Sequence, residues 1–267
     1  MSDLTTPQQA LTYASYLRID ELLDLQTPRS TGPEHDELLF IIIHQVYELW
    51  FKQLLHELDY LGERLRANDL SRALHTLRRM LTILKTVVSQ IDVLETMTPL
   101  EFNAFRGYLE SASGFQSYQF RALEFTLGYK RRAVFLHYPK GSAGRLLLEA
   151  RYVAPTLWDA FMAFLAVNGF QVPAEALNRD VTKPVIPSPA VQELLLAVYR
   201  NDPSLARVCE RLVDLDEGIQ EWRYRHVKMV ERTIGNKRGT GGSSGVEYLH
   251  TTLKPLFPDL WVIRSQL

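Results

Sequence analysis

Apolar residues recur at intervals of three and four along nearly the whole chain, and no stretch combines strict alternation with a tight hairpin turn. The pattern predicts an all-α protein. A first amphipathic segment covers residues 12–25 and meets a breaker region, 28–33, that holds Pro28, Gly32 and Pro33. From 34 to about 67 no proline intervenes. There Leu39, Ile42, Val46 and Leu49 form a stripe that Phe40, Ile41, Ile43, Tyr47, Trp50 and Phe51 widen around the cylinder, predicting a long helix buried on several sides. A second long helix is expected over 70–97, with Leu74, Leu77, Leu81, Leu84, Val88, Ile91 and Leu94 in heptad-like order, paired antiparallel with the first.

Thr98-Pro99-Leu100-Glu101 is a capping-box pattern with proline at the first helical position. Helical spacing resumes over 116–127, with Gly128 as its stop, and continues over 143–153 and 155–167. A proline-rich connection, 172–189, follows. Leu205, Val208, Leu212, Leu215, Ile219, Trp222, His226, Met229 and Thr233 then alternate steps of three and four. A helix over 203–234 would be roughly 48 Å long and form a bundle seam. One domain with a mobile N-terminal arm is expected, the connection leaving two subdomains open.

The apolar fraction of 46% and charged fraction of 23% over 267 residues are those of a globular protein with an extensive core. Thirty Lys and Arg against 31 Asp and Glu, a net charge of −1, give no electrostatic reason to bind nucleic acid or an anionic membrane. The longest apolar run, 160–167, falls short of the ~18 residues of a membrane span. Cys209 is the only cysteine, and the N-terminus lacks the basic-then-apolar order of a secretory signal. The expectation is a cytoplasmic protein with neither a nucleic-acid nor a membrane partner.

Four features carry candidate chemistry. His226, on an apolar seam, is either a satisfied core residue or an axial metal ligand. His44 shares a face with Phe40, Tyr47 and Phe51, which makes either ordinary core or a wall for a flat ligand with one hydrogen-bonding group. Arg106, beside Phe102 and Phe105, is suited either to a surface salt bridge or to gripping a carboxylate bidentately. The loop 235–245 holds five glycines, three hydroxyls and two cations, so it is either a flexible connection or a closure over anionic groups. That loop fails the dinucleotide fingerprint, and its Gly-x-Ser-x-Gly match follows a helix where a nucleophile elbow needs a strand. His56-Glu57 lacks the second histidine of a zinc-protease motif, which falls on Tyr60. Cys209 reads as an inert core thiol, and Lys130-Arg131-Arg132 as a solvated turn.

Together these segments resemble the tryptophan 2,3-dioxygenase family. The likeness rests on Thr12-Tyr13-Ala14-Ser15-Tyr16-Leu17, on Phe40 to Lys52 around His44, on Phe105-Arg106 through Ser113-Gly114-Phe115-Gln116-Ser117, and on Trp222 to His226 through Lys237 to Gly245. It implies a haem enzyme that opens the indole C2–C3 bond of L-tryptophan with O2 to give N-formyl-L-kynurenine, the first step of the kynurenine pathway. His226 would be the axial ligand of haem b, one per subunit and ferrous when active. Its second ring nitrogen would be held by a hydrogen-bond partner.

By the same resemblance His44 would accept the indole N–H, Phe40 would lie against the indole, and Arg106 would clamp the carboxylate. Thr240 and a haem propionate would receive the ammonium. Gly114 would leave room for dioxygen. Tyr13, Tyr16 and Leu17 match an arm, residues 1–32, that reaches a neighbouring subunit's pocket, implying a homotetramer of haem-binding domains, 33–267. Some bacterial members carry tyrosine where this chain has Phe102, and Val46 replaces a common threonine. Two rival classes remain from the residues alone. One is a non-enzymatic haem-based gas or redox sensor on a helical bundle, and the other a cofactor-free helical scaffold with both histidines in its core.

Overall fold

The computed structural model describes residues 10–235, 237 and 249–267, and among them it is all-α. The arm forms two short helices, α1 (Tyr13–Leu17) and α2 (Ile19–Leu23). The sequence pattern suggests one helix here, but Arg18 between them takes a left-handed φ of 52° and breaks it. The breaker region is tied down by Glu37, whose carboxylate accepts the backbone N–H groups of Arg29 at 2.6 Å and Ser30 at 3.0 Å.

Helix α3 (His35–Arg66) and helix α4 (Leu70–Leu94) lie antiparallel, as the heptad pattern predicts. A tight turn joins them, with Asn68 left-handed and Asp69 capping α4 through the Arg72 N–H at 3.1 Å. Helix α3 is also the one described helix whose length and apolar content would suffice to cross a bilayer. In this fold α4, α6 (Tyr118–Thr126) and α8 (Leu157–Val167) pack against it.

Between them comes α5 (Pro99–Arg106), opened by the predicted capping box. The Thr98 hydroxyl accepts from the Glu101 N–H at 3.3 Å, and the Glu101 carboxylate accepts from the Thr98 N–H at 2.7 Å. Gly114–Gln116 is a separate 3-10 turn, so α6 begins two residues later than the spacing suggests. Gly128 ends that segment at φ 106°, a conformation that favours glycine. Helix α7 (Ala143–Val153) packs on α6.

The proline-rich connection holds one turn of helix, α9 (Ala174–Leu177), and does not separate two bodies. The rings of Trp158 and Phe257, from either side of it, stack at 5.6 Å within one continuous core. Helix α10 (Pro189–Asn201) and the 32-residue α11 (Pro203–Ile234) follow. Gly218 lets α11 approach α4 closely, since a Cβ there would meet Leu84 Cδ1 at 3.1 Å. The tail with α12 (Pro258–Val262) is fastened back onto α11 by buried Asp216. Its Oδ2 accepts from the Leu256 and Phe257 N–H groups and from Trp261 Nε1 at 2.9–3.0 Å, and Oδ1 from Gln220.

Candidate active site

Helices α3, α4, α5, α6 and α11 and the tail around Leu249 and Thr252 enclose a cavity with about 1600 Å3 of atom-free space, its mouth included. Its lining is mostly apolar and aromatic with a few convergent polar groups, the make-up of a small-molecule or cofactor site. Phe40, His44, Phe102, Arg106, Gly114 and His226 all line it. Residues separated by up to 186 positions in sequence thus meet at one cavity, because the long helices bring α3 and α11 to the same space.

His44 has a defined tautomer. Its Nδ1 lies 2.7 Å from the carbonyl oxygen of Phe40, which can only accept, so Nδ1 carries the proton. Burial pushes the pKa of this imidazole below its ordinary value, against the opposing pull of the Phe40 carbonyl and Glu48. At neutral pH the ring therefore presents Nε2 as a hydrogen-bond acceptor. The Phe40 ring sits 4.1 Å from it, and Phe40, Phe102 and Phe105 pack with centroids 5.4–5.8 Å apart. Arg106, the half-buried last residue of α5, borders these rings.

Across the cavity His226 is also neutral. Burial, with His44 and Arg121 adding to it, pulls its pKa down to about 4. A neutral imidazole keeps the lone pair that a metal ligand needs. The ring stacks on Trp222 at 5.2 Å and 9°. Among the described residues none hydrogen-bonds to it, so the partner expected for its second nitrogen is not found there. Nor do three His, Cys, Asp or Glu groups converge as a metal site among the described residues. The cavity's aromatic walls and the neutral His226 fit an iron macrocycle, which would itself bring the metal's other ligands.

Gly114 borders open space, since a Cβ built on it meets nothing within 4 Å. Tyr13, Tyr16 and Leu17 lie away from the cavity and are 77%, 70% and 43% exposed. Thr240, with most of the glycine-rich loop, lies outside the described residues.

The sequence pattern missed a buried charge cluster in this wall. Glu124 Oε2 accepts from Arg121 and Arg131, each at 2.6 Å, and Oε1 accepts from Arg223 at 2.8 Å. Arg223 also donates to the Thr252 carbonyl at 2.8 Å. Burial opposes ionisation of Glu124, but Arg121, Arg223 and Arg131 outweigh it and hold its carboxyl below the usual range. The basic run after Gly128 is correspondingly not a solvated turn. Arg131 joins this cluster, and Lys130 is buried with Nζ donating to the carbonyls of Tyr152 and Ala154. The available local signal was the i, i+3 pair Arg121 and Glu124. Cys209, as expected, is a core thiol, fully buried and with its pKa pushed up to about 12 by burial.

A family model described as tryptophan 2,3-dioxygenase matches residues 3–142 and 180–267. The tryptophan 2,3-dioxygenase of Herpetosiphon aurantiacus is 67% identical over 259 residues, which cover 97% of this chain and 99% of that protein. The protein of the same name from Anaeromyxobacter sp. strain K is 59% identical over the full length of both. That of Caulobacter vibrioides is 43% identical over 97% of this chain and 99% of its own.

Proposed function

Because the chain belongs to the tryptophan 2,3-dioxygenase family, we propose that this cavity is where it opens the indole C2–C3 bond of L-tryptophan with O2, yielding N-formyl-L-kynurenine. The reaction inserts both oxygen atoms and begins tryptophan degradation through the kynurenine pathway. The observation that carries the reading is the pair of neutral histidines from α3 and α11 lining one cavity with Arg106. Ferrous haem b, one per subunit and ligated by His226, supplies the activation of dioxygen when bound.

The protein's own part is orientation. His44 Nε2 accepts the indole N–H, and Phe40 packs on the ring one turn away. His44 acts as a positioning acceptor and need not remove the indole proton. Arg106 takes the substrate carboxylate, while Thr240 and a porphyrin propionate receive the ammonium, so both ends of the amino acid are paired in a dry site. Phe102 brings a phenyl ring and not a phenol to this end of the site. Gly114 keeps space for dioxygen.

The exposed apolar side chains of α1 support assembly as a homotetramer. Tyr13, Tyr16 and Leu17 of the arm, residues 1–32, would complete the pocket of a neighbouring haem domain, 33–267. A cytoplasmic location accords with a lone, buried cysteine. The test is direct. Purified, reduced, haem-loaded protein mixed with tryptophan in air should accumulate N-formylkynurenine. Haem binding without that product would mean a gas or redox sensor, and a colourless protein a scaffold.

A further inference from the structure

The cavity wall carries a second cationic pole, on different elements from Arg106. Arg121 of α6 and Arg223 of α11 both line it with Glu124, which they outnumber two to one even with Arg131 left aside, while the other lining carboxylate, Glu48 of α3, is held by the Gln119 amide at 2.9 Å. The three are nearly fully buried, with side chains only 8%, 4% and 3% exposed. Both Glu124 oxygens are engaged, and the Nε atoms of Arg121 and Arg223 are buried without a hydrogen-bond partner. A buried surplus of positive charge calls for an anion.

We propose that this pole receives a carboxylate of the bound porphyrin, leaving Arg106 to the carboxylate of the substrate. The inference rests on the haem reading above. Position favours the cofactor over the substrate as its source. Arg223 is three residues from His226 on the same helix, hence on nearly the same face, and Arg121 is joined to Arg223 through the shared Glu124 carboxylate on the same cavity. Arg106 instead adjoins the aromatic cluster around Phe40 and His44.

The test is binding of two iron porphyrins to the full chain stripped of its haem, followed by the porphyrin absorption band and by quenching of protein fluorescence. One is iron protoporphyrin, the other its dimethyl ester, which has the same ring and metal but no carboxylate charge. Wild-type protein should bind the diacid at least about tenfold more tightly, the scale of one charge-assisted hydrogen bond. Arg121→Met should bring the two within about twofold, and Arg121→Lys should keep most of the preference. Arg121→Met leaves Glu124 paired with Arg131 and Arg223. Should it nevertheless fail to fold, the wild-type ratio and the lysine variant decide.

Equal wild-type binding of both porphyrins overturns the proposal and leaves the haem reading standing. So does undiminished preference in a folded Arg121→Met, and if the tryptophan KM also rises there, the carboxylate is the substrate's. Failure of both porphyrins to bind removes the haem reading and this inference with it.

Discussion

Replacing His44 with alanine while varying the substrate isolates the hydrogen bond assigned to it. The Phe40 carbonyl at 2.7 Å fixes the proton on Nδ1, so the ring can offer only an acceptor to the cavity. His44→Ala then leaves the indole N–H buried without a partner, a penalty of about 1–3 kcal/mol, or roughly 5–150-fold in kcat/KM. The substitution also removes the packing of the imidazole on Phe40 at 4.1 Å. That loss is common to any substrate of the same shape. An analogue with oxygen or sulfur in place of the indole N–H separates the two effects in a double-mutant cycle. Steady-state kinetics should show His44→Ala much more damaging with tryptophan than with the analogue, and measurable activity should remain. Equal damage with both substrates, or complete inactivation of a variant that still holds normal haem, would refute the argument.

His226→Ala should purify without haem, read from the absorption spectrum. Arg106→Ala should raise the tryptophan KM sharply, by about 30- to 5,000-fold for a buried charge partner worth about 2–5 kcal/mol. Lys130→Met leaves the Tyr152 and Ala154 carbonyls without their donor, so about 2 kcal/mol of stability and roughly 4–8 °C in the melting temperature should be lost. A carboxylate with a depressed native pKa stabilises the fold above its unfolded value near ~4.3, and that contribution disappears as pH falls through the native pKa. The wild type should therefore weaken through acid melting below about pH 4.3, and Glu124→Gln should weaken the fold at neutral pH and blunt that acid limb.

The long helices were legible because nothing interrupts their three-and-four spacing. The ends of α7 at Val153 and of α11 at Pro203 and Ile234 fall where the pattern put them. Thr98 with Glu101 was equally readable, since a capping box is complete within four residues. The break at Arg18 was not, because neither glycine nor proline marks it and the apolar spacing runs through. Lys130 misled for a different reason. A basic run looks solvated until the carbonyls that bury it, 22 and 24 residues away, are in place. Distance also hid Arg223, which meets Glu124 across 99 positions. For the candidate site, the histidines were visible as singular polar residues on apolar faces. Tyr13, Tyr16 and Leu17 of the arm stay exposed on the single chain, which the amphipathic spacing of α1 does not mark.

The parallel stacking of Trp222 on His226 has a spectroscopic consequence. An indole 5.2 Å from the imidazole assigned to the iron would lie within easy energy-transfer range of the porphyrin, and only three other tryptophans emit alongside it. Its emission should go dark on loading and return on release, which gives the protein an occupancy gauge without any added dye.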